Sequence, residues 1–291
     1  MKRTILALLL GTASLHAGIA ASLDDIVVPG TVAKRVASGF SFAEGATANA
    51  EGEVFFTDQP NDQILRWNER DGLRVFLSPS GRANGMCFAP DGNLLVCADN
   101  KTEVWSISPD KKITVLTGTY EGKRFNGPND IWVQPDGSCY FTDPFYGRSW
   151  WNYKDPPQPS RQVYYLPKGG KPRRVTDNLV QPNGIVGTPD GKRLYVSDIN
   201  AKKTYVYDVS PDGSLTNRKL FCEMGSDGMA RDDKGNLYLT GKGVFVFSEA
   251  GEKLGVIEIP ESWCGNVCIG GKDHKTLFVT AMKGLYAVPL R

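Results

Sequence analysis

The sequence predicts an all-β fold, a six-bladed β-propeller whose last blade is closed by a strand from the N-terminus. Three observations carry the prediction. An oxygen-bearing residue opens a short apolar run six times, at Glu44, Asn84, Asn129, Asn183, Asp227 and Asn266. These markers stand 39 to 54 residues apart, the length of a four-stranded blade. Apolar residues alternate with a period of two, and no long amphipathic helix interrupts them.

Each unit reads alike. A glycine stands eight residues after the marker at Gly52, Gly92, Gly137, Gly191 and Gly235, and the sixth unit has His274 there. Pro-Asp-Gly at 90–92, 135–137 and 189–191 fixes a hairpin turn, because proline sets φ and glycine supplies φ > 0. A more apolar strand returns at 54–56, 94–96, 139–141, 194–196, 237–239 and 277–279. That strand ends on the marker's face of the disc, at Asp58, Asp99, Asp143 and Asp198. These aspartates read either as turn caps or as partners that orient metal ligands. Only 25 residues follow Asn266, enough for about three strands. The fourth is expected from residues 31–37, which would remove the open edge.

The third unit is the longest, and its insertion follows Asp143. It carries Phe145, Tyr146, Trp150, Trp151 and Tyr153 and runs to Pro159. The loop leaves the marker face, so Tyr146 and Trp150 are expected to wall a substrate pocket. The alternative is that Trp150 and Trp151 bury the loop against its blade.

Residues 1–20 resemble an export signal: Lys2 and Arg3, an apolar run to Leu10, and small residues around Ala17–Ala20. The run is too short to span a bilayer, so a soluble domain over 21–291, periplasmic or secreted, is expected. The 34 cationic side chains include Lys2 and Arg3, leaving 32 against 32 acidic ones. This balance gives no drive toward nucleic acid or an anionic membrane. Export permits disulfides among the six cysteines, and Cys87 and Cys97 flank one hairpin. Buried free thiols are the competing reading, and no paired Cys-x-x-Cys motifs suggest thiolate zinc.

Glu44, Asn129, Asn183 and Asp227 offer two carboxylates and two amide oxygens. Such a set suits one hard divalent cation, Ca²⁺ first, with Mg²⁺, Mn²⁺ or Zn²⁺ as alternatives. Asn84 and Asn266 read as hydrogen-bonding groups for water or substrate. A single Asn-Gly is ordinarily a turn. Turns do not explain an oxygen donor at one phase of every unit. The one histidine after the leader, His274, sits in a turn on the opposite face, so a Ser-His-Asp triad or a His₃ zinc site is hard to build.

Phe42-Ala43-Glu44-Gly45, Asn126-Gly127-Pro128-Asn129-Asp130, the stretch 141–147, Gln181-Pro182-Asn183-Gly184-Ile185 and Ser226-Asp227-Gly228-Met229 resemble the senescence marker protein 30/gluconolactonase family. The resemblance covers essentially the whole chain after the leader, and is closer to bacterial gluconolactonases than to the animal cytosolic branch. It implies a catalytic divalent metal in the central channel, with ligands at Glu44, Asn183 and Asp227. Asn129 would contact metal, water or substrate. It also implies hydrolysis of a sugar lactone such as glucono-1,5-lactone. A bound metal can polarise the carbonyl and activate water. Asp227 is the candidate general base or nucleophile, with direct attack by metal-activated water as the alternative. Asp130, Asp143 and Asp198 are expected partners around the ligands. Hydrolysis of other lactones or phosphotriesters, or a non-catalytic binding propeller with a structural metal, are the competing functions. An open coordination position would distinguish enzyme from binder.

Overall fold

The computed structural model describes residues 22–291. The export signal expected at 1–20 lies outside them. Among the described residues no helix is long and apolar enough to cross a membrane. Six four-stranded antiparallel sheets form the blades. Blade 1 spans residues 43–77, blade 2 83–117, blade 3 131–174, blade 4 182–222 and blade 5 229–257. Blade 6 takes three strands from 264–289 and its fourth from Lys34–Ser38. The innermost strand of each blade touches that of the next, and blade 6 touches blade 1, so the ring is closed.

The expected closing strand is present, shifted slightly along the chain. Lys34–Ser38 runs antiparallel to Gly284–Pro289, with Ser38 opposite Gly284 and Lys34 opposite Ala287. A bridge between Val27 and Leu290 extends the seam. N- and C-terminal segments thus hold each other, and no blade is left a strand short.

The core is six clusters, one between each pair of neighbouring blades. Phe56 and Leu65 of blade 1 meet Phe278 and Leu285 of blade 6. Phe55 and Ile64 meet Leu94 and Val96; Leu95 and Cys97 meet Cys139 and Phe141. Tyr140 and Val163 meet Leu194 and Val196. Tyr195 meets Leu237 and Leu239, and Tyr238 and Val246 meet Leu277 and Val279. The strongly apolar second strands supply most of these side chains because they are covered on both faces. Each buried large side chain contributes on the order of 1.5–3 kcal/mol. Two buried tyrosine hydroxyls find partners, Tyr140 donating to the Gly213 carbonyl at 2.9 Å and Tyr238 to Asp232 at 3.1 Å, whereas those of Tyr164 and Tyr207 have none among the described residues.

The strand-end aspartates are clamps. Asp58 accepts from the Ser41 and Phe42 amides, Asp143 from Asn126 and Gly127, and Asp198 from Val180 and Gln181. Each clamp grips the backbone two to three residues before Glu44, Asn129 or Asn183 and so fixes where the marker begins. The turn-cap reading holds for these three. Asp99 is different: in blade 2 the clamp is Asp62, which accepts from the Ser80 and Arg82 amides. Asp99 is left to hold the long loop instead.

The buried-thiol reading of the cysteines holds, and one other expectation is corrected. All six cysteines are free thiols. Cys87 lies opposite Leu95, two residues short of Cys97, so the two thiols do not face each other across the hairpin. Asn266 is not the sixth marker. Val267 pairs with Val279 as Met229 pairs with Leu239 and Ile131 with Phe141. The amides of Asn266, Gly228 and Asp130 each donate to the threonine hydroxyl that follows in the facing strand. The marker position of blade 6 is therefore Gly265. The two arms of the blade 6 hairpin each run one residue further, Val267 to Val279 against Met229 to Leu239, and this displaces a count made from the turn.

Candidate active site

Backbone geometry aims the markers. The inner strands of blades 1, 2 and 4 slip register at the marker, between Glu44 and Thr47, Ala83 and Met86, and Pro182 and Ile185. Such a bulge re-aims one side chain out of the pleat. The glycine after the marker lets the next blade approach. Gly45 has φ +57°, and a Cβ there would overlap the Asn84 carbonyl. At Gly265 an added Cβ would lie 2.7 Å from Glu44 Oε1. The bare position of blade 6 thus makes room for the longest marker side chain.

Asn183 and Asp227 are in contact, and Glu44 is close enough to feel the Asp227 charge. Asn183 Nδ2 donates to Asp227 Oδ1 at 2.8 Å and to the Tyr146 hydroxyl at 2.6 Å. Its carbonyl oxygen Oδ1 is buried and has no hydrogen-bond partner. Glu44 Oε2 accepts the Gly45 amide at 2.9 Å. Burial, then the charge of nearby Asp227, pushes the Glu44 carboxyl well above its ordinary range. Burial likewise raises Asp227, although hydrogen bonds from Trp263 and Asn183 oppose the shift. The two carboxyls of blades 1 and 5 are thus within electrostatic reach across the channel. Asn84 and Asn129 are buried at the same phase of blades 2 and 3. The Asn129 carbonyl accepts the Gly85 amide at 2.7 Å.

One residue further along the inner strand, Asp130 and Asn266 form a second layer from opposite blades. Asp130 caps the Ile131 amide at 3.0 Å and the Ile185 amide at 3.3 Å. Burial carries its carboxyl to about 7, with the amide bonds and Asn266 opposing. Asp143 and Asp198 act on backbone amides rather than on the ligand side chains.

The long loop lies over this region through Tyr146, and its tryptophans are pinned by Asp99. Trp150 Nε1 donates to Asp99 Oδ2 and Trp151 Nε1 to the Asp99 carbonyl, both at 3.0 Å. Trp151 stacks on Tyr153 at 4.9 Å. Trp150 has Arg82 over its ring at 4.5 Å and Arg148 at 5.6 Å. The packing reading therefore accounts for both tryptophans, while Tyr146 touches a marker directly. His274 sits in the turn of blade 6, with Nε2 3.1 Å from the Ala50 carbonyl.

Sequence reasoning missed three participants. Trp263 Nε1 donates to Asp227 Oδ2 at 2.7 Å; it stands in a connection before blade 6 and belongs to no repeat. Arg148 places the nearby positive charge, and Asp99 had looked like another clamp. The threonines preceding the clamp aspartates were visible as Thr-Asp pairs, and only the fold shows their hydroxyls tying marker backbones.

These residues fit a hard divalent cation. Among the described residues no three His, Cys, Asp or Glu side chains group as a ligand cluster; the donors here are two carboxylates completed by amides. Two buried like charges and an orphaned amide oxygen are what such an ion would satisfy.

Comparison with known proteins agrees with the geometry. A gluconolactonase of Zymomonas mobilis subsp. mobilis is 31% identical, over 91% of this chain and 83% of its own length. The solved structure of a gluconolactonase from Xanthomonas campestris superposes with a TM-score of 0.84 at 28% identity, covering 92% of each chain. A calcium-binding regucalcin of Agrobacterium tumefaciens shares the fold, with a TM-score of 0.74 at 17% identity over 89% of this chain and 95% of its own. The model of the SMP-30/gluconolactonase/LRE-like region matches residues 42–283, and the chain belongs to that family.

Proposed function

We propose that this protein hydrolyses a sugar lactone of the glucono-1,5-lactone type, with a divalent cation held by Glu44, Asn183 and Asp227 and assisted by Asn129. The observation that carries this is the Asn183–Asp227 hydrogen bond beside the unpartnered Asn183 Oδ1, with the buried Glu44 carboxyl close enough to feel the Asp227 charge. Gluconolactonase relatives support the substrate class. All-oxygen donors favour Ca²⁺, which takes six to eight ligands and would keep positions for water and substrate. When bound, the cation would polarise the lactone carbonyl and make water more acidic.

The chain's own residues supply the rest. Asp227 is held at both oxygens, by Asn183 and by Trp263, so its orientation is fixed before substrate arrives. It takes a proton from the attacking water as the water oxygen bonds to the carbonyl carbon. The ring C–O bond then breaks, and the proton passes to the departing alkoxide oxygen, giving the open-chain acid. Asn84 and Asn129 line the approach and offer amide hydrogen bonds to the sugar hydroxyls. An extracytoplasmic location follows if residues 1–20 act as the leader their pattern suggests.

Acid release from glucono-1,5-lactone, followed with a pH indicator, tests the proposal. Chelated protein should lose turnover and regain it with added Ca²⁺, Mg²⁺ or Mn²⁺. Full turnover in excess chelator would overturn the metal-dependent reading. Metal-dependent folding without turnover would favour a binding propeller.

A further inference from the structure

Among the described residues, Arg148 is the cation whose charge acts on Glu44, Asp227 and Asp99 alike. It stands on the loop after blade 3, and its side chain is 23% exposed. Tyr146, two residues earlier, touches Asn183. The Arg148 guanidinium carbon lies 5.4 Å from the Tyr146 ring and 5.6 Å from the Trp150 ring. Its Nε faces Asp99 Oδ2 at 3.6 Å and is buried without a hydrogen bond. Two rings and one carboxylate thus hold the guanidinium through its Nε side, and among the described residues its two terminal nitrogens make no hydrogen bond.

We propose that Arg148 is a specificity-determining residue whose terminal guanidinium nitrogens donate to the hydroxyls of a polyhydroxylated lactone. The proposal rests on the lactone-hydrolase reading. Arginines already lie over the rings around it. Arg82 and Arg148 lie over the Trp150 ring, and Trp151 and Arg124 lie against Tyr153. The mouth therefore presents hydrogen-bond donors, which suit a ligand rich in acceptor hydroxyls. A rigid fork held in place loses little freedom on binding. Asp99 has been released from the clamp duty that Asp62 performs in its blade, and it positions Arg148 and Trp150 together.

The test uses the metal-loaded full chain with Arg148→Met and Arg148→Lys. Substrates are glucono-1,5-lactone and δ-valerolactone, which has the same ring without hydroxyls. Arg148→Met should lose about 10- to 100-fold in kcat/KM on the sugar lactone, mostly through KM, and less than about threefold on δ-valerolactone. Arg148→Lys should fall between. Equal losses on both lactones, or no loss on the sugar lactone, would overturn the proposal. Wild-type protein that turns over neither lactone would instead sink the hydrolase reading. Titration with D-gluconate, which keeps the hydroxyls, then still decides: roughly tenfold weaker binding by Arg148→Met supports the contact, and unchanged binding removes it.

Discussion

Glu44→Gln offers a test of the site that needs no substrate. In the metal-free protein the Glu44 carboxyl is buried beside Asp227, and both burial and that charge raise its pKa well above 4.5. A carboxyl raised in the folded state binds protons more tightly there than in the unfolded chain. Its cost is absent below about pH 4.5 and grows as pH rises toward the folded value. Each unit of elevation corresponds to about 1.4 kcal/mol at the top of that range. Glutamine keeps an oxygen to accept the Gly45 amide but carries no charge. Metal-free Glu44→Gln should therefore be more stable than wild type at pH 7, with Tm rising by about 2–4 °C for each ~1 kcal/mol recovered in a domain of this size. Near pH 4.5 the difference should vanish. Calorimetry in chelator across pH 4.5–8 measures it. Saturating Ca²⁺ should reverse the order, since a ligand at about 100 times its Kd adds ~2.7 kcal/mol to wild type alone. Equal Tm and equal pH slope in chelator would refute the reasoning, because Glu44 would then not share an enclosed space with Asp227.

Three further outcomes are expected. Asp227→Asn should keep the fold by circular dichroism yet lose at least about 100-fold in kcat, as removal of a positioned base does; full activity would mean the base lies elsewhere. Trp263→Phe removes the hydrogen bond to Asp227 Oδ2, so a loss of about 10- to 100-fold in kcat/KM is expected at saturating metal. An unchanged rate would show that the indole only packs. Burial carries Asp99 to about 6, and Trp150→Ala takes away one donor to its carboxylate. The folded pKa then rises further, so the added instability should appear above about pH 6 and be small at pH 4; a Tm loss independent of pH would point to lost packing alone.

Much of the fold was legible because blades repeat. The alternation in residues 54–56 or 194–196 and the Pro-Asp-Gly turns depend on neighbours in the chain, and local chemistry writes them plainly. Closure from the N-terminus followed from a missing strand, although its register against Gly284–Pro289 did not. The error at Asn266 arose where blade 6 departs from the common hairpin length, since repeat counting assumes that length.

By itself the sequence determined a ring of six blades with oxygen donors at one phase of the first five, because both are periodic and each unit carries its own signal. Only the tertiary structure decided that Gly265 leaves a gap beside Glu44. It likewise brought Trp263 to Asp227 and made Asp99 an anchor for the long loop. These contacts join segments far apart in the chain, and no local pattern specifies which distant surface a side chain will meet once the ring closes.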